Sequence, residues 1–329
     1  MKPYGQLTPR GQALRLRRLA RNALEEFDLG PYRLRLIKHL VNTTFRLDCD
    51  RGAFVVRVHR TKDRTVGEIE SEVAWLEALA RDAGVAVQTP RRARDGRLVV
   101  RAAAPGAEAC PVTVLSWIRG RVLPSGVRSA RHFALVGRLT ARLHRHSQTW
   151  RPPPGFERPV LDAAGFIGER APYSLQALGH LLPADLRRDL EEVYRRLLAA
   201  EAELAPRRDL FGLVHRDLTF SNVLFAADEA RAIDFDEGGF GCYLHDCGAS
   251  LNGARWNDGY AENRDAYLEA YHRVRPLDGD VPAYLPLFMA VRTAAMILWA
   301  ADQSPTHGWI SSMAPWVREL LADLRAAGG

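Results

Sequence analysis

The chain has 329 residues, 47% hydrophobic and 26% charged, which excludes a disordered or collagen-like polymer. At roughly 150 residues per domain it sets an expectation of two domains or lobes. Its net charge of +7 is concentrated at the front, where residues 1–60 hold 13 Lys/Arg against 5 Asp/Glu. That balance admits a phosphorylated ligand or an acidic surface as partner, but the chain carries no nucleic-acid-binding motif.

Thr8-Pro9 supplies a capping hydroxyl and a first-turn proline, so a helix is expected from there to about Phe27. Asp28-Leu29-Gly30-Pro31 ends it. Residues 34–47 read as strand with a turn at 39–43, Asp50-Arg51-Gly52 is a second turn, and residues 53–58 are a β-rich strand. Residues 68–81 have helical periodicity, with Ile69, Val73, Leu76 and Leu79 on one face. A short strand is expected at 85–90 and two more at 98–102 and 112–118. From Ala130 the pattern turns helical, with long amphipathic segments at 133–148 and 186–204 and a β-rich insert at 212–236. The apolar stretch 285–301 carries Arg292 near its middle and falls short of the roughly 20 apolar residues of a membrane span, so it reads as a buried helix. N-terminal Arg15, Arg17, Arg18 and Arg21 read as a solvated helix face. Four cysteines lack CxxC spacing and no secretory core follows the first arginines, so a cytoplasmic location without a membrane is expected.

Chemistry concentrates at Val214-His215-Arg216-Asp217-Leu218-Thr219-Phe220-Ser221-Asn222 and at Ile233-Asp234-Phe235-Asp236. Apolar runs flank both polar clusters, and a polar residue at the end of a packed run is presented with little freedom. Phosphoryl transfer uses these residue types: a carboxylate to orient a hydroxyl, here Asp217, and oxygen ligands for Mg²⁺, here the Asn222 amide and the Asp234 carboxylate. His215 reads as a brace for the loop.

H-x-D-x-x-x-x-N followed by I-D-F-D resembles the catalytic core of protein-kinase-like phosphotransferases, most closely the aminoglycoside phosphotransferase and choline kinase-like group. That group also includes type II homoserine kinases and a bacterial stress-response kinase that acts on proteins. The resemblance implies an α+β, two-lobed protein-kinase-like fold. An N-terminal helical extension (1–30) would precede an antiparallel-sheet lobe (31–118) and a mainly helical lobe (119–329) with the catalytic loop and acceptor site. It implies ATP and Mg²⁺ as cofactors. Asn42 and Thr43 would cover the phosphates, Arg57 would bind them, and Glu72 would pair with Arg57, with Glu68 and Glu70 as alternatives. Ser116 and Ile118 would lie along the adenine. Asp217 would be catalytic, and Asn222 and Asp234 would hold the metal. Asp246 would brace the catalytic loop, and His144 would pack in the core.

Two features depart from the group. Arg57 stands where many members have Lys, and the loop reads His-Arg-Asp where His-Gly-Asp is frequent. Only eleven residues separate Asp234 from Asp246 and no Ala-Pro-Glu follows, which favours a small-molecule hydroxyl acceptor over a protein. Three readings stand beside this one. They are a protein kinase of the stress-response type, a pseudokinase or basic binding module, and a metal-dependent phosphohydrolase using His215, Asp217, Asp234, Asp236, His245 and Asp246. Asp258, Glu262 and Asp265 would either face a cationic acceptor or form a solvated helix.

Overall fold

The computed structural model describes residues 2–60, 64–255, 258–277, 279–304 and 308–327. The chain divides into two units, Met1–Arg119 with Arg151–Glu157, and Gly120–Trp150 with Arg158–Gly329. The short return of 151–157 to the first unit was not visible in the sequence. Within that unit the Glu157 backbone N–H donates to Ser71 Oγ at 2.7 Å.

In the first unit, α1 (Pro9–Leu24) starts where Thr8 Oγ1 accepts from the Gly11 N–H at 3.2 Å, with Pro9 in the first turn. Strands β1 (Tyr32–His39), β2 (Thr43–Cys49) and β3 (Gly52–Val58) form an antiparallel meander. Helix α2 (Val66–Asp82) follows, entered by a reciprocal Thr65–Glu68 capping box, and then β4 (Val99–Ala104) and β5 (Ala107–Ser116). The sheet order is β1-β2-β3-β5-β4.

Leu19, Leu24 and Phe27 pack with Phe45, Leu47, Val56 and Val112 into one core, so the first helix is part of this unit and not an extension to it. Its arginine face is only partly solvated. Arg15 is buried and donates to the carbonyls of Gly106 (2.6 Å) and Lys2 (2.9 Å), and Arg17 donates to the Leu34 carbonyl (2.7 Å). The expected strand at 85–90 is a single bridge, Pro90 with Leu115. Here β4 has already left β5, and residues 89–91 take its place through Arg91 N to Val114 O (2.7 Å) and Ser116 N to Thr89 O (2.8 Å). Pro90 has no N–H with which to extend the ladder.

The second unit opens with α3 (Ala130–Thr149), β6 (Val160–Leu161), α4 (Ala163–Phe166), α5 (Leu175–Leu178) and α6 (Ala184–Leu204). Strands β7 (Phe211–Val214), β8 (Val223–Ala226), β9 (Glu229–Ala232) and β10 (Gly239–Cys242) come next. The unit closes with α7 (Leu244–Asn252), α8 (Tyr260–His272), α9 (Leu285–Gln303) and α10 (Gly308–Ala327). Strand β10 runs antiparallel to β7 and parallel to β6, while β8 and β9 form a hairpin. Helix α9 is long and apolar enough to cross a membrane. Here it buries Leu287, Phe288, Val291, Ile297 and Leu298 among α6, α7 and α10. Gly137 lets α3 lie against α8: a Cβ there would fall 2.2 Å from the Tyr267 carbonyl oxygen.

Candidate active site

Two loops carry the expected catalytic residues. One runs from the end of β7 to β8, the other from the end of β9 to β10. Neither contains enough regular structure to hold its own shape, so buried side chains hold it.

Asp246, on α7 and fully buried, is the main holder. Its Oδ2 accepts from the His215 backbone N–H (2.8 Å) and from His144 Nε2 (3.1 Å), and its Oδ1 accepts from the Arg216 backbone N–H (2.7 Å). Burial alone would push its carboxyl up, but these donors and the neighbouring imidazoles hold it below the usual carboxylate range. The other ring nitrogen of His144 meets Tyr271 Oη at 2.8 Å, and the ring stacks on Tyr243 at 4.3 Å. The bracing role expected of Asp246 and the core position expected of His144 are both seen in this geometry.

His215 Nε2 meets the Ile233 carbonyl at 3.0 Å, and the Ile233 N–H donates to the Asn222 carbonyl at 3.0 Å, so the two loops are tied together twice. Ser250 Oγ pins the Leu218 carbonyl at 2.7 Å. Arg158, buried, donates to the carbonyls of Gly238 (2.6 Å), Phe235 (3.1 Å) and Asp236 (2.7 Å). Arg216 and Asp234 have φ of 69° and 70°, in the left-handed region that costs a non-glycine residue energy. One such residue sits in each loop, and the anchors just described keep them there.

Asp217 and Asn222 face one another. Asn222 Nδ2 donates to Asp217 Oδ2 (2.7 Å) and to the Asp217 carbonyl (2.9 Å). Both partners only accept, so the amide nitrogen must be the atom that faces them, and Oδ1 of Asn222 remains as an oxygen donor for a hard cation. Asp217 Oδ1 accepts from Arg292 Nη2 on α9. Burial pushes the Asp217 carboxyl up. Arg292 and His215 oppose this, and Glu237 and Asp234 add to it.

The expected nucleotide residues are all in the first unit. On β3, alternate side chains face α1, and Arg57 points to the opposite side. There its Nη1 donates to Glu72 Oε1 at 2.8 Å, with both side chains buried. Glu68 is instead committed to the helix cap. The hydroxyls of Thr43 and Ser116 have partners within the unit. Thr43 is fully buried and its Oγ1 lies 2.7 Å from His39 Nδ1, closing the β1–β2 hairpin. Ser116 Oγ accepts from the Thr89 N–H and hydroxyl, both at 2.9 Å, and so fastens residues 89–91 to β5. Asn42 stays at the partly exposed tip, its carbonyl accepting from the Leu40 N–H at 3.1 Å. Ile118 is half-buried just past β5, and neither of its backbone groups is hydrogen-bonded among the described residues.

Arg292, Arg158 and Arg60 were given no role in the sequence reading. Arg60 Nε donates to the Val41 carbonyl at 2.5 Å, and Arg60 Nη2 to that of Leu40, so this arginine holds the hairpin tip. For Arg292 there was a signal, a lone charge within an apolar helix. Among the described residues no three His, Cys, Asp or Glu side chains gather as a metal cluster. The His245 ring stacks on Phe166 at 4.2 Å, and burial pushes its imidazole down to about 3. His215, His245 and Asp246 of the hydrolase reading are thus engaged in bracing and packing. Asp258, Glu262 and Asp265 are exposed and make no hydrogen bond or ion pair with the 215–222 loop; Asp265 pairs with Arg264 at 2.7 Å.

A family model described as phosphotransferase enzyme family matches residues 34–277, which span both loops and the Arg57–Glu72 pair. The chain belongs to this family. Phosphotransferases of this kind are kinases, and the α+β arrangement of an antiparallel sheet and a helical second half is the kinase-like fold. A Deinococcus radiodurans protein without an assigned activity is 31% identical over 277 residues, covering 82% of this phosphotransferase and 77% of the relative. A homoserine kinase of Paramagnetospirillum magneticum is 28% identical over 268 residues, covering 78% and 75%. Among solved structures, a microcompartment-associated aminopropanol kinase is 28% identical with a TM-score of 0.77, covering 94% of this chain and 97% of its own.

Proposed function

We propose that this kinase transfers the γ-phosphate of ATP, with Mg²⁺, to a hydroxyl of a small molecule. The observation that carries the reading is the Asp217–Asn222 pair, held by Asp246 and set beside the strained Asp234. A carboxylate for the acceptor proton and two oxygen ligands for a hard cation are fixed on two tied loops. Asn222 Oδ1 and the Asp234 carboxylate would hold Mg²⁺, which when bound neutralises phosphate oxygens. Asp217 orients the acceptor hydroxyl and takes its proton. Arg57, kept in place by Glu72, binds nucleotide phosphate, and the backbone of Ile118 lies along the base. The homoserine kinase and aminopropanol kinase relatives support an acceptor of the amino-alcohol or amino-acid kind.

Thermal unfolding with ATP, ADP and GTP, each with and without Mg²⁺, tests the reading. A ligand at about 100 times its Kd raises stability by about 2.7 kcal/mol. A Mg²⁺-dependent rise with ATP supports the reading, and no rise with any nucleotide overturns it.

A further inference from the structure

Arg292 is the only charged residue within residues 285–301, on a helix whose neighbouring positions Val291 and Thr293 are buried. A largely buried guanidinium is costly unless an anion and hydrogen-bond acceptors hold it. Its only hydrogen-bond partner among the described residues is Asp217 Oδ1, and its Nε–H is buried without a partner. A guanidinium offers five N–H donors, and its Nε–Nη2 edge matches the two oxygens of one carboxylate. In this structure Asp217 engages that edge through a single oxygen.

The acceptor must bring its hydroxyl to Asp217, so Arg292 is beside whatever else the acceptor carries. Resting on the phosphotransfer reading above, we propose that the acceptor bears a carboxylate as well as a hydroxyl, and that Arg292 binds that carboxylate. The acceptor is then a small hydroxy acid or hydroxyamino acid. Its carboxylate binds the accessible guanidinium N–H groups that Asp217 leaves unused, while its hydroxyl hydrogen-bonds to Asp217. The same cation disfavours an ammonium group at that place. In the transfer, the acceptor oxygen bonds to the γ-phosphorus and the bond to the bridging oxygen breaks. ADP leaves, and the hydroxyl proton passes to Asp217 and on to solvent.

Matched pairs that differ only in the carboxylate test this on the full chain with ATP and Mg²⁺, read by ADP release. They are L-serine and ethanolamine, L-homoserine and 3-aminopropan-1-ol, L-threonine and 1-aminopropan-2-ol, and D-glycerate and ethylene glycol. The acid member of at least one pair should have a kcat/KM about tenfold or more above its partner. Arg292→Gln should bring that ratio close to one, mainly through KM of the acid. Arg292→Lys, which keeps charge without the fork, should retain part of the preference, and it carries the test if Arg292→Gln melts early. Preference for the decarboxylated member overturns the proposal. So does an equal fall for both members in the variants, because a purely structural Arg292 would act in that way. Phosphorylation of none of the eight compounds, with Mg²⁺-dependent ATP binding intact, overturns the carboxylate and leaves the phosphotransfer reading in place. Loss of nucleotide binding itself would instead remove that reading.

Discussion

Asn222 commits its amide nitrogen to Asp217 twice, once to the carboxylate at 2.7 Å and once to the carbonyl at 2.9 Å. One side chain thereby sets the orientation of the Asp217 carboxylate and leaves its own Oδ1 for another partner. Asn222→Ala removes both effects and is expected to lower kcat by about 10²-fold or more and to raise the Mg²⁺ concentration for half-maximal rate. A Mg²⁺ titration of ADP release, run beside Asp217→Asn, separates the two. Asp217→Asn should lose turnover while its Mg²⁺ half-saturation stays near that of the wild type.

Asp246 satisfies three N–H donors in a fully buried place. Asp246→Asn must oppose an amide N–H₂ to at least one of them. A loss of about 3 kcal/mol is expected, the size found when one member of a buried charged network is removed. Urea unfolding measures it. The loops carrying Arg216 and Asp234 should relax from positive φ, so turnover falls further than stability alone accounts for.

Arg57 and Glu72 form a buried pair in the first unit. Removing either alone leaves a buried charge, at about 3 kcal/mol, and removing both should cost less than the sum of the single losses. The double-mutant cycle, followed by urea unfolding and by ATP binding, should show coupling of about 1 kcal/mol or more in stability. Nucleotide affinity should fall in every variant that lacks Arg57 or leaves it unanchored.

Glu201 on α6 accepts the Ala163 N–H at 3.0 Å, and burial, with Asp162 nearby, pushes its carboxyl up to about 7. The folded state then keeps a proton that the unfolded chain, with an ordinary value of 4.5, has already lost. Stability from this group is present below about pH 4.5 and is lost as pH rises to about 7. Glu201→Gln keeps an oxygen for Ala163 and has no charge to bury. Its melting temperature should match the wild type at pH 4.5 and exceed it at pH 8 by about 2–4 °C or more, measured by circular dichroism.

Much of the fold is legible because its signals are local. The Thr8-Pro9 start, the Thr65–Glu68 box and the alternation along β3 each depend on residues a few places apart. The same holds for the spacing of Asp217, Asn222 and Asp234, which turns and strand ends fix. Of the acids that the resemblance offered, Glu72 meets Arg57 and Glu68 closes the helix cap.

What the sequence by itself determined, then, is the class of chemistry and the order of elements that carries it. Tertiary structure decided which side chains across the fold meet each group. Thr43 and Ser116 look like open hydroxyls until His39 and Thr89 are brought against them. The first helix looks like an extension until Leu19 and Phe27 join the sheet's core. Arg158 and Arg292 come from distant segments to the two loops, and nothing in their own neighbourhood in the chain tells which carbonyl or carboxylate they will meet. Hydrogen bonds and ion pairs act over a few ångströms of space, whatever the number of residues between the partners.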